Sequence, residues 1–237
     1  MKNIIKIGLM TLVSLPVFSQ MSENAWYYLN NRNIDLEQKW EAFGLSKAQY
    51  EAAINQVYDN PEFIEGSIYK DDKLMKTDVP MRYNAYSDEI EISNNPGEGN
   101  ETYGALLKDP TVFVKIFKTI YVFVPHEGSN DNGHYFNILT EGKTYHLYKM
   151  TKATFDEPFH AKTSYERNRP ASFPKTTTYY LVSGGTFSEL PKSHSKIIKA
   201  MGVKKKEVKE FIKVNKLNLN KEADLIKTVT YFDSLMQ

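Results

Sequence analysis

The chain of 237 residues balances 30 basic against 29 acidic side chains, a formal net charge of +1, and 41% of it is hydrophobic. That balance excludes a whole-protein polyelectrolyte role on nucleic acid or anionic lipid. Cysteine is absent, which excludes disulfides, thiol redox chemistry and the lipidated cysteine of an exported lipoprotein.

The first residues follow the layout of a secretory signal: Lys2 and Lys6, an apolar run from Ile7 to Leu15, Pro16, then Val17-Phe18-Ser19 before Gln20. The run is shorter than the roughly 20 residues that span a bilayer. Residues 1–19 are therefore expected to be a signal peptide cleaved after Ser19, leaving residues 20–237 without a transmembrane segment, in the periplasm or secreted.

Residues 20–60 read as helical. An amphipathic piece runs from about Asp35 to Phe43 and is closed by Gly44. Ser46 with Gln49 makes a capping-box pattern, and Tyr50, Ile54 and Val57 repeat at helical spacing before Asn60-Pro61 stops the helix.

From about residue 61 to 188 the texture changes to short runs of Val, Ile, Tyr, Phe and Thr separated by turn formers, the signature of an antiparallel sheet. The expected strands are Phe63–Tyr69, Val79–Tyr86, Glu89–Ser93, Thr111–Phe117, Thr119–Val124, His134–Thr140, Lys143–Lys149 and Thr177–Val182, with Asp71-Asp72 and Glu141-Gly142 as the best hairpin turns. Across Val112–Val124 the alternation is apolar on both faces. Even positions are mostly β-branched, and the odd ones include Phe113, Phe117, Tyr121 and Phe123. Such a stretch is either a sheet covered on both sides or one whose aromatic face lines a ligand cavity, and those four aromatics are the candidate ligand-binding residues.

Beyond Pro191 the pattern is helical again. Ser193 is placed to cap a helix carrying Ile197, Ile198 and Met201, closed by Gly202. Val208, Phe211 and Ile212 form a second apolar face, and Asn220 can cap a last helix with Leu225, Val229, Phe232 and Met236 on one stripe. From Glu189 onward 11 Lys face 6 acidic residues, against a net −6 over residues 21–188. Without interleaved Arg or aromatics this tail reads as a solvated lysine-rich face and not as a nucleic-acid site. The whole is expected to be one domain of the α+β class, an antiparallel sheet packed by N-terminal and C-terminal helices, with residues 189–237 as a helical tail.

The strings Pro80-Met81-Arg82-Tyr83-Asn84, Asp88-Glu89-Ile90-Glu91-Ile92, Glu141 through Lys149, Thr178-Tyr179-Tyr180-Leu181 and the closing Asp224-Leu225-Ile226-Lys227 with Tyr231-Phe232 resemble an uncharacterised family of exported bacterial proteins. The resemblance runs from about Gly66 to the end. It implies a signal peptide, a strand-rich middle and a helical tail, and it brings no catalytic residues with it.

Motifs of chemistry are sparse. His126, Glu127, Asp131 and His134 cluster in an expected hairpin loop, and two His with two carboxylates are ligands that zinc accepts. Their spacing matches no established zinc pattern, and the intervening Gly128 to Gly133 are ordinary turn formers. Ser193, His194 and Ser195 are neighbours in sequence, unlike the members of a catalytic triad, which meet in space. Adjacent carboxylates such as Asp88 and Glu89 point to opposite faces of a strand. No cofactor is implied. The leading expectation is a non-enzymatic envelope protein that binds a protein partner or a hydrophobic, lipid-like ligand. The alternative is an exported hydrolase, metal-assisted through the His126 to His134 cluster.

Overall fold

The structure is a computed structural model and describes residues 27–29, 45–93, 103–126 and 132–236. Among the described residues eleven strands pair antiparallel throughout in one sheet: β1 (Tyr27–Leu29), β2 (Ile64–Lys70), β3 (Lys73–Asn84), β4 (Glu89–Ser93), β5 (Tyr103–Leu106), β6 (Val112–Ile116), β7 (Thr119–Pro125), β8 (Gly133–Glu141), β9 (His146–Ala153), β10 (Lys175–Ser183) and β11 (Thr186–Glu189). Their order across the sheet is β1-β5-β4-β3-β2-β6-β7-β8-β9-β10-β11, two meanders joined where β2 pairs with β6. Four α-helices accompany it among the described residues: α1 (Lys47–Ile54), α2 (His194–Ala200), α3 (Lys205–Val214) and α4 (Glu222–Ser234). The α+β class and the antiparallel sheet follow the sequence reading. Among the described residues no helix is long and apolar enough to cross a membrane.

Helix α1 begins on the capping box expected of Ser46 and Gln49. Ser46 Oγ accepts from the Gln49 N–H at 3.3 Å and Gln49 Oε1 from the Ser46 N–H at 2.8 Å, which satisfies two donors that a helix start leaves open. The expected helix over 35–43 lies outside the described residues. Strand β1 falls within the span read as helical and corrects it: its backbone pairs with β5, Tyr27 opposite Leu106 and Leu29 opposite Gly104. A three-residue edge strand is recruited by its partner's open hydrogen-bond edge, which local pattern does not encode.

A two-residue turn explains how β6 and β7 share their faces. Ile116 pairs with Thr119 and Val114 with Tyr121, so Phe117-Lys118 is the turn and the alternation changes phase across it. Val114, Ile116, Tyr121 and Phe123 consequently share the inner face, while Phe113, opposite Val122, lies on the outer one. Following the pairs onward, Asn137, Lys149, Leu147, Tyr179 and Leu181 continue the inner face across β8, β9 and β10, with one irregularity near Leu139.

The sheet curls over this inner face, and its two ends are closed differently. At one end the β2–β4 meander folds across β7–β9, so that Met81, Tyr83, Ile90 and Ile92 pack on Tyr121, Phe123 and Tyr135 with Val57 of the 3-10 turn after α1. The contact is sealed by main chain: Ala153 N–H donates to Ala85 O at 2.8 Å and Ala85 N–H to Val57 O at 3.0 Å. At the other end the helical tail covers β8–β10, burying Ile197, Met201, Val208, Leu225, Val229 and Phe232 against Leu147 and Leu181. Each such side chain contributes roughly 1.5–3 kcal/mol by leaving water.

Two expected caps take other partners. Helix α4 starts at Glu222 with Lys221 at its N-cap and no side-chain cap. Asn220 instead places its Oδ1 3.0 Å from His194 Nε2. Ser193 has the N-cap backbone of α2, but its hydroxyl meets Ser195 Oγ at 3.0 Å and caps nothing.

Candidate ligand site at the mouth of the curled sheet

Where β3 curls past the β6–β7 turn, a cavity of about 220 Å³ opens between them. Its floor is apolar, from Ile64, Met81 and Ile116. Its walls are the rings of Tyr83, Tyr121 and Phe117, and its rim holds Asp59, Asn60 and Glu62. Tyr83 and Tyr121 lie ring on ring, with centroids 4.9 Å apart and planes 29° apart. Each phenol is fixed at its oxygen: Tyr83 donates to Asp88 Oδ1 at 2.8 Å, and Tyr121 to Asp59 Oδ2 at 3.4 Å. Burial, reinforced by Asp88 for Tyr83 and by Asp59 for Tyr121, pushes both hydroxyls far above the ordinary tyrosine range. Both therefore remain neutral donors, and neither serves as a base.

Phe117 is the unusual member. It is 68% exposed and sits at φ +53°, in the left-handed region that costs a residue with a Cβ about 1–2 kcal/mol. Lys118 places its ammonium 5.2 Å from the Phe117 ring centroid. Positive φ at this position is what a two-residue hairpin turn requires, and it leaves the ring exposed at the edge of the cavity. Phe117→Gly is expected to be at least as stable as the parent, by up to about 1 kcal/mol, because glycine relieves the strain and the lost ring buries little; thermal unfolding checks this.

The four aromatics expected on one face are thus divided. Phe117 and Tyr121 line the cavity. Phe123, 2% exposed, is interior packing beside Tyr135. Phe113 faces outward, stacked on Tyr69 at 4.7 Å with the rings 3° from parallel. The turn at 117–118 is the physical reason, since it exchanges the faces of odd and even positions.

Of the metal cluster, His126 and His134 come together edge to face, with centroids 5.1 Å apart, while Glu127 and Asp131 lie outside the described residues. Among the described residues no three His, Asp or Glu gather as a metal would require. His134 Nδ1 is 3.0 Å from Asp88 Oδ2. Asp88, read from sequence only as half of an adjacent acidic pair, is in fact the hub of that end of the sheet.

Two other constellations escaped the sequence reading. Arg82 and Glu91, opposite each other on β3 and β4, form a buried pair beside the cavity, Nε to Oε2 at 2.7 Å. On the outer face, Phe136, Tyr148, Tyr180 and Phe187 cluster, with Phe136 5.0 Å from Phe187 and 5.4 Å from Tyr180 between centroids. Their signal was the aromatic content of β8–β11 at alternate positions, visible in sequence but without a register to join it.

No family model matches the chain. No curated protein and no solved structure matches it significantly.

Proposed function

We propose that this chain is an exported, non-enzymatic binding protein of the cell envelope, acting in the periplasm or outside the cell, and that it holds a small apolar ligand at the mouth of the curled sheet. The observation that carries the reading is Phe117, a strained and exposed aromatic beside an apolar-floored cavity. The signal-like pattern of residues 1–19 supports export. The cavity, at about 220 Å³, is smaller than the usual 300–1,000 Å³ of ligand pockets. A single ring or short chain fits that space better than the long acyl chain of a lipid, which narrows the hydrophobic ligand expected from sequence.

Native mass spectrometry of the protein purified from its own envelope tests this, beside a denatured run that gives the covalent mass and the cleavage position. The expected result is a small non-covalent adduct on the parent and none on Phe117→Gly. Binding and stability would then move in opposite directions, as they do where strain is kept for function. An adduct retained at full occupancy by the glycine variant would remove the cavity from consideration.

A further inference from the structure

A second cavity, distinct from the first, has a mixed lining that includes charged and hydroxyl side chains. Strands β8 and β9 part company above the Asn137–Lys149 pair, and the β3–β4 turn, residues 85–88, enters the gap. A cleft of about 250 Å³ remains there, lined among others by Ser87, Asp88, Lys108, His134, Thr151 and Lys152.

The carboxylate in this cleft is already engaged. Asp88 accepts from the Tyr83 hydroxyl at 2.8 Å and from the Tyr135 N–H at 3.2 Å, its Oδ2 lies 3.0 Å from His134 Nδ1, and Lys108 Nζ stands 3.9 Å away. Asp88 holds this arrangement at φ +55°, a conformation aspartate tolerates better than most residues. With its oxygens occupied, it acts as a positioning residue that anchors the turn and one nitrogen of the imidazole.

The hydroxyl in the cleft is not engaged. Ser87 Oγ is shielded from solvent and has no hydrogen-bond partner. Buried polar atoms are almost always paired, so an orphan hydroxyl on a residue that lines a cavity marks the place of a missing partner. Lys108, Lys152 and His134, whose Nδ1 is fixed by Asp88, line the same cleft, and Asp88 is its one carboxylate among the described residues.

We propose that this cleft binds a small oxyanion, a carboxylate or phosphate group, which accepts from Ser87 Oγ and is neutralised by Lys108 and Lys152. Charge-assisted hydrogen bonds of this kind are about twice as strong as neutral ones. The anion completes the hydrogen bonding of a hydroxyl that the fold buries without a partner.

The test is a titration of the isotope-labelled protein by NMR with sodium acetate and, separately, with inorganic phosphate, at ionic strength held constant by sodium chloride. Saturable shifts confined to the amides of Ser87, Asp88, His134, Tyr135 and Thr151 are expected. Saturation by acetate alone identifies a carboxylate ligand, and saturation by phosphate alone a phosphate. Lys108→Met is expected to weaken binding by about tenfold, the loss of one charge-assisted bond. Ser87→Ala is the control for folding: it removes an unsatisfied hydroxyl, so its melting temperature should hold or rise while its affinity falls. Shifts that do not saturate, or affinities unchanged in both variants, overturn the proposal.

Discussion

Glu91→Ala should destabilise the protein by about 3–5 kcal/mol, the cost of stranding one member of a buried ion pair. Glu91 is 2% exposed, and its carboxylate is met on three sides: Arg82 Nε at 2.7 Å, Asn84 Nδ2 at 2.7 Å and the Tyr58 hydroxyl at 3.3 Å. The guanidinium is equally committed. It donates to Pro61 O at 2.7 Å and to the Tyr58 hydroxyl at 3.0 Å, and lies 3.9 Å and 4.2 Å from the ring centroids of Tyr58 and Phe63. The network ties the segment after α1 to the outer face of β3 and β4, beside the cavity that Arg82 helps to line. Without Glu91 the arginine keeps its charge and loses the carboxylate that stands 2.7 Å from its Nε. The double replacement Arg82→Met with Glu91→Leu should recover much of the loss, since an apolar pair avoids desolvating two charges. Denaturant unfolding of the three variants decides the matter. A loss under about 1 kcal/mol for Glu91→Ala would mean that the pair behaves as a surface ion pair.

The same network illustrates what sequence could and could not disclose. The expected strand Val79–Tyr86 overlaps the end of β3, and Glu89–Ser93 is bounded as it is found. Arg82 meets Glu91 only because Tyr83 pairs with Ile90, and cross-strand register follows from the turn and the shared core, not from either strand alone. Strands β5 and β11 span four residues each and β1 three, too few for a periodic pattern to declare itself.

The candidate site was half legible for a related reason. Phe117 and Tyr121 were singled out by aromatic alternation and do line the cavity, whereas Phe113 was assigned to their face because Phe117-Lys118 has no turn former in it. By contrast Asp71-Asp72 was read as a turn and is one, both residues at positive φ, 47° and 61°. The polar cleft was out of reach. Asp88 and His134 are 46 residues apart, and only the curling of the sheet brings them within 3.0 Å.

Asp233→Ala is the second large effect, expected at about 3 kcal/mol or more, and it bears on how the helical tail is held. Asp233 is a charged residue at a helix C-terminus, 4% exposed, on the face of α4 that also carries Val229 and Phe232. By the dipole rule it is misplaced, since a C-terminus favours cations. Its partners explain it: Oδ2 accepts from the Lys143 N–H at 2.9 Å, and Oδ1 from the N–H groups of Thr144 and Tyr145, each at 2.8 Å. The carboxylate thus organises the loop between β8 and β9, which is why the expected tight turn at Glu141-Gly142 is a wider one. Gly142 is required there, because a Cβ at that position would stand 2.3 Å from the Asp233 carboxyl carbon. Alanine at 233 strands three N–H groups, each worth about 1 kcal/mol or more when left unpaired. Nearby, Glu222 at the start of α4 meets Lys149 at 3.0 Å, and Tyr179, whose hydroxyl donates to Glu222 at 3.1 Å, is pushed up to about 12 by burial and by that carboxylate. Helix α4 is therefore fastened at both ends, and the lower fastening is the half-exposed, weaker one. Hydrogen exchange should show the Asp233→Ala variant losing protection at residues 143–145 and through α4 before the β2–β4 meander opens. Uniform loss across the sheet would mean instead that the tail and the curled end unfold as one cooperative unit.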